Sequence, residues 1–136
     1  MRWLALLLAV LASNVALAER VTIYDGSNRV TGYDDYNGGR ITHYDAGNRQ
    51  TGRSERHGNR VDHYDDGNRS LGHDERSGGR VDSYDSGNRS LGHSDRNGSR
   101  LEYYDSGNRS LGHDERSGSR VDSYDADNRH IGTRSR

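Results

Sequence analysis

Three kinds of side chain in this sequence could do chemistry, and each recurs at an interval of twenty residues. Histidines stand at His73, His93 and His113. Tyrosines stand at Tyr24, Tyr44, Tyr64, Tyr84, Tyr104 and Tyr124, and an aspartate follows every one of them. Imidazoles at regular spacing could hold Zn²⁺, Cu²⁺ or Ni²⁺. Equivalent residues two strands apart are separated by about 9–10 Å, however, which is too far to share one ion. Asp62, Asp65 and Asp66, or Asp82 and Asp85, invite comparison with calcium loops. They match neither the EF-hand spacing nor the glycine-rich nonapeptide of calcium-binding solenoids. Aspartates that accept backbone N–H bonds in hairpin turns account for them better. No metal and no other cofactor is expected.

The tyrosines are the most regular series. Tyr44, Tyr64, Tyr84, Tyr104 and Tyr124 form a candidate ligand-binding ladder, because tyrosine beside Asp, Asn and Arg can stack sugar rings and hydrogen-bond their hydroxyls. The competing assignment is that these rings are simply the core. For catalysis there is no nucleophile elbow, no phosphate loop and no carboxylate pair outside the repeat. Residues copied in every unit do not make the single asymmetric constellation an active site needs, so no enzyme is expected. Twenty basic residues against 21 acidic ones leave no basic patch, which argues against nucleic acid as a partner.

These residues are carried on a tandem repeat that begins at Arg20, Arg40, Arg60, Arg80, Arg100 and Arg120. The second position is always aliphatic (Val21, Ile41, Val61, Val81, Leu101, Val121), the fifth and sixth are Tyr-Asp, and the thirteenth is always glycine. Each unit has two turn signals. One is Gly-Asn-Arg, as at 87–89; the other is Gly-Gly, Gly-Asn or Gly-Ser before Arg, as at 78–80. Both suit two-residue II′ hairpins, in which glycine takes the positive φ cheaply. The turns lie nine and eleven residues apart, and the density of Gly, Asp, Ser and Asn opposes helix. The pattern predicts an all-β antiparallel hairpin array of about eleven strands. With so few aliphatic residues, it is expected to coil into a solenoid-like sheet, with its edges open to self-association. The provisional register sets Tyr84 opposite Leu91 on one side and His73 on the other, with Arg76 opposite Val81.

The N-terminus is different. Arg2, the apolar run Trp3–Ala12, and small residues at Ala16 and Ala18 read as a secretory signal peptide over 1–18, cleaved after Ala18. The run is too short to serve as a transmembrane anchor. Residues 19–136 would then form one repeat domain, secreted or periplasmic. They contain no cysteine, so disulfides cannot substitute for a core.

Tyr-Asp-x-Gly-Asn-Arg, a glycine about ten positions on, and then Arg-Val-Asp-Ser-Tyr-Asp resemble the YD repeats of Rhs-type proteins, over about residues 20–132. The resemblance implies a β-hairpin array in an envelope or extracellular protein, with carbohydrate or surface binding as a family theme. The array runs to Arg136, leaving no room for the toxin that Rhs-type shells enclose. The expectation is a structural or interaction module contacting an envelope component. The alternative is a carbohydrate-binding repeat protein using the tyrosine ladder.

Overall fold

The computed structural model describes residues 19–135, so the signal peptide expected over 1–18 lies outside the described residues. The repeat folds into twelve strands: β1 (Glu19–Asp25), β2 (Val30–Asn37), β3 (Arg40–Asp45), β4 (Gln50–His57), β5 (Arg60–Asp65), β6 (Ser70–Ser77), β7 (Arg80–Asp85), β8 (Ser90–Asn97), β9 (Arg100–Asp105), β10 (Ser110–Ser117), β11 (Arg120–Asp125) and β12 (His130–Ser135). Each pairs antiparallel with its neighbours in sequence, and β1 pairs with β12, closing the sheet into a barrel. The all-β hairpin expectation holds. The solenoid does not: the last strand returns to the first through Thr22↔Ser135, Ile23↔Arg134, Tyr24↔Thr133 and Asp25↔Gly132. Closure also removes the free edges through which copies were expected to associate.

The two turns of a unit differ in kind. At 38–39, 58–59, 78–79, 98–99 and 118–119 the loop has two residues, and its leading glycine has a φ between 60° and 63°. That is the II′ hairpin expected from the sequence. At the Tyr-Asp end the loop is longer. Asp85 opens a β-turn closed by Asn88 N–H to its carbonyl at 3.0 Å, and Asp85 N–H then donates to Arg89 O at 2.9 Å. Asn88 sits in the left-handed region at φ 63°, a conformation asparagine tolerates better than most residues. The Asp85 carboxylate accepts from the N–H groups of Gly87 and Arg89 at 2.8 and 2.9 Å and pairs with Arg89 Nε at 2.9 Å. These bonds, led by the one from Arg89 N–H, hold its carboxyl below the usual range. Such aspartates organise the turns.

A second irregularity follows each of these turns. Tyr84 faces Ser90, Ser83 faces Gly92, and Leu91 is the extra residue of a β-bulge; the expected Tyr84–Leu91 pairing is replaced. The invariant glycine is explained here: a Cβ on Gly92 would lie 2.1 Å from Tyr104 O, at a φ of 138°. Bulges bend and over-twist the strand that carries them. Repeated once per unit at the same level, they curl the sheet in one sense until its ends meet. Twelve strands about 4.8 Å apart and tilted about 40° make a cylinder on the order of 24 Å across.

One cluster identifies the inner face. Tyr103 on β9 and Arg134 on β12, three strands apart, both donate to Asp114 on β10, a convergence possible only across the concave side. Strand alternation then places Val21, Ile41, Val61, Val81, Leu101 and Val121 inside, together with the fourth and fifteenth residues of each unit and the seventeenth of the first five. Among the described residues, only Val21 is a buried hydrophobic one. The other aliphatic side chains of that row are half-exposed to the lumen, so the interior is hollow rather than a packed core.

Candidate functional site

The wall outside and the lumen inside present different chemistry. The tyrosine ladder lies outside. Tyr84, Tyr104 and Tyr124 each stack on the histidine of the preceding strand (His73, His93 and His113) with ring centroids 4.9 Å apart. The Arg53 guanidinium covers Tyr64 at 4.4 Å, and Arg20 approaches Tyr44 at 5.5 Å. Each of these five rings therefore has at least one partner from its own chain, and Tyr124 has a second in the edge of His130 at 5.6 Å. Carried around a cylinder, their outward directions diverge, so they do not form one flat platform. The three histidines lie 3.5–3.7 Å from the carboxylates of Glu75, Asp95 and Glu115. No group of three or more metal-ligating side chains comes together among the described residues.

The lumen carries a girdle at mid-height, one side chain per strand, drawn from the fourth and fifteenth positions of the repeat. Those two positions vary from unit to unit, whereas the aliphatic second position, the Tyr-Asp pair and the thirteenth glycine are kept. The fourth reads Ile23, His43, His63, Ser83, Tyr103, Ser123; the fifteenth reads Asp34, Ser54, Asp74, Ser94, Asp114, Arg134. On one side of the barrel these residues form a continuous relay. Asp34 Oδ1 lies 2.7 Å from His43 Nδ1, and His43 Nε2 lies 2.8 Å from Ser54 Oγ. Ser54 Oγ lies 2.8 Å from His63 Nδ1, and His63 Nε2 lies 3.0 Å from Asp74 Oδ2. Ser83 bonds Asp74 in turn. On the other side Asp114 is the hub: it accepts from Tyr103 Oη at 2.6 Å and Ser123 Oγ at 2.6 Å, and from Arg134 Nη2.

The electrostatics follow from these bonds. The hydrogen bond to Asp74 leads the causes that raise the His63 pKa, against the opposing effect of burial. Burial pushes the Asp74 carboxyl up, but the bonds from His63 and Ser83 together outweigh it and leave it below its ordinary value. Burial, reinforced by the bond to Asp114, pushes the Tyr103 hydroxyl up to about 12. A carboxylate only accepts, so His43 Nδ1 donates to Asp34, and His43 Nε2 is left to accept from Ser54. Ser54 has one proton to give, so its second histidine must donate to it. That donor is His63, through Nδ1, while its Nε2 donates to Asp74. Every bond in the relay then has one donor and one acceptor.

Ser54 is 3% exposed and borders two cavities. One, of about 180 Å³, is lined by Tyr36, Ile41, Ser54, Arg56 and Val61 with two loop glycines. The other, of about 310 Å³, includes His43, Ser54, His63 and Leu71. Arg56, Arg76, Arg96 and Arg116, at the seventeenth position, ring the mouth at the two-residue-turn end. Reading the sequence for what recurs selected the outer tyrosines and passed over Asp34, His43, Ser54, His63 and Asp74. The signal that finds them is a different one: two polar positions that vary between units and fall on the same strand face as the aliphatic second position. No family model, curated protein or solved structure matches this chain.

Proposed function

We propose that this chain is a secreted or periplasmic binding module whose ligand, a small hydroxylated molecule of the carbohydrate class, enters the lumen of the barrel. The observation that carries this reading is the girdle: a wall built from copied residues encloses side chains that are not copied and that form one asymmetric polar surface. His, Ser, Asp, Tyr and Arg at fixed positions beside cavities of a few hundred Å³ offer the convergent polar groups that small-ligand sites use. The arginines at the mouth would favour ligands with an acidic group by focusing positive potential on the entrance. The wall outside carries Arg, Asp and Glu along its strands. Charges facing lipid cost about 2–4 kcal/mol each at mid-bilayer, so the barrel is read as standing in water. The YD-repeat resemblance and the apolar run over 3–12 support the envelope or extracellular setting.

The test is calorimetric or NMR titration with neutral and acidic monosaccharides. Binding to the wild type, weakened by His43→Ala or Asp74→Ala but not by Tyr84→Ala, is the expected result. Loss on Tyr84→Ala and Tyr104→Ala, with the lumen variants unaffected, would move the site to the outer ladder. A second reading, an interaction module docking another envelope component, is favoured by Leu71, Leu91, Leu111 and Ile131. These bulge residues lie near the longer-turn end and are 54–58% exposed. It predicts no sugar binding and loss of partner capture when those four are changed to Ser.

A further inference from the structure

We propose that Ser54 is a nucleophile, activated by His43 and oriented through Asp34, that takes the acyl group of a small carboxylic ester entering the lumen. The arrangement is that of an acyl-transfer triad, with serine Oγ on His43 Nε2 at 2.8 Å and His43 Nδ1 on Asp34 at 2.7 Å. In such a triad the imidazole is the base, and the carboxylate fixes its tautomer. This goes beyond ligand binding and does not depend on the ligand being a sugar.

The rest of the girdle argues that the relay is more than a brace. The Tyr103–Asp114–Ser123–Arg134 side holds together without a histidine. The barrel can therefore be closed with Ser, Tyr, Asp and Arg, and two histidines on one serine exceed what closure needs. His63 adds a second element. Donating through Nδ1 to Ser54 Oγ, it stabilises negative charge on that oxygen while His43 removes the proton. The small cavity beside Ser54, lined by Tyr36, Ile41 and Val61, matches a short acyl group. Arg56 on its rim brings positive charge to the side where a carbonyl oxygen becomes an oxyanion.

The step balances without any other reagent. Ser54 Oγ bonds to the carbonyl carbon, and its proton passes to His43 Nε2. As the tetrahedral adduct collapses, the bond from carbon to the alcohol oxygen breaks, and His43 returns the proton to the departing alcohol. Water then attacks the acyl-serine with His43 again taking a proton. Ser54 Oγ leaves and is reprotonated, and a carboxylic acid is released. Ser54 and His43 are the catalytic residues; Asp34 is a positioning residue.

The chain supplies its own control. Ser94 occupies the same repeat position as Ser54, but Ser83 and Tyr103 stand where Ser54 has His43 and His63. The experiment treats the folded full chain with p-nitrophenyl acetate in near-neutral buffer, follows p-nitrophenol release, and locates acetyl groups by peptide mass spectrometry. The expected result is a burst with one acetyl group per chain, on Ser54 and absent from Ser94. Ser54→Ala abolishes the burst, and His43→Gln slows acylation by about 100-fold or more. Asp34→Asn lowers the acylation rate with little change in the concentration of ester needed for half-maximal rate, a split that a purely structural role would not give. Imidazoles elsewhere can hydrolyse the ester but leave no acetyl-serine. Acetyl groups scattered over other hydroxyls, equal labelling of Ser94, or no adduct on a wild-type barrel intact by circular dichroism would overturn the proposal. If Ser54→Ala fails to fold, the wild-type map and His43→Gln decide it.

Discussion

Replacing Gly92 by alanine tests the explanation given for barrel closure. The added Cβ would sit 2.1 Å from the backbone oxygen of Tyr104 and 3.1 Å from two backbone atoms of Asp105, on a residue held at φ 138°. No flexible side chain can move aside, because the obstructing atoms belong to the neighbouring strand. A non-glycine residue in a sparsely populated backbone region costs about 1–3 kcal/mol. The clash adds to this unless the strands separate, giving a loss of about 2–4 kcal/mol. Against a total stability of about 5–15 kcal/mol, that is a large fraction, equivalent to a fall in Tm of roughly 10–20 °C for a domain of about 100 residues. Gly87→Ala is the matched control. Its Cβ would meet only side-chain atoms, Asp85 Oδ1 at 3.3 Å and Arg89 Nε at 4.0 Å, with no positive φ, so its effect should stay within about 1 kcal/mol. Urea unfolding followed by circular dichroism gives both values. Equal midpoints for Gly92→Ala and Gly87→Ala would refute the role assigned to the bulge.

Asn88 holds φ 63°, so Asn88→Ala should lower stability by about 1 kcal/mol, while Asn88→Gly should be nearly neutral; paired thermal melts distinguish them. The His63–Asp74 pair predicts a pH optimum. His63 has a raised folded pKa, so its contribution is full below its ordinary value of 6.5 and lost as pH rises through the raised one. Asp74 has a lowered pKa, so its contribution is full above 3.8 and lost as pH falls through the lowered one. Tm should therefore be highest between those two values and decline above neutrality, and His63→Gln should flatten the alkaline side of the profile. On the outer wall, Tyr84→Ala removes one stacked pair, worth about 0.5–1.5 kcal/mol beyond its buried area. A measurable drop in Tm is expected, with lumen binding intact by titration.

Much of the wall was legible in the sequence because the wall is what repeats. The aliphatic second position, the Tyr-Asp pair and the two-residue glycine turns required only strand alternation and hairpin geometry, and the His73–Tyr84 and Arg76–Val81 pairings followed from counting across Gly78-Gly79. The other turn was misjudged because Gly87 looked like the residue with positive φ, whereas Asn88 takes it and the Asp85 carboxylate supports the longer loop. That difference hid the bulge at Leu91, and with it the curvature that closes the sheet. Local spacing does not report how twist accumulates over twelve strands, so a solenoid and a barrel looked alike. The candidate site was hidden for a different reason. Its residues lie nine or eleven positions apart on consecutive strands, at places where the repeat is not copied, and closure turns the face they share into the wall of a lumen.

Closure is the claim on which the lumen depends, and it can be tested with a single cross-link. Thr22 and Ser135 are cross-strand partners at the β1–β12 seam, and the chain has no cysteine of its own. In an open array the first and last strands would lie on the order of 50 Å apart, at about 4.8 Å per strand. With Thr22→Cys and Ser135→Cys combined, mild oxidation should give a disulfide within the monomer, seen as a faster-migrating band on non-reducing electrophoresis and the loss of two hydrogens by intact mass. Free thiols that persist, or disulfides found only between chains, would contradict a closed barrel.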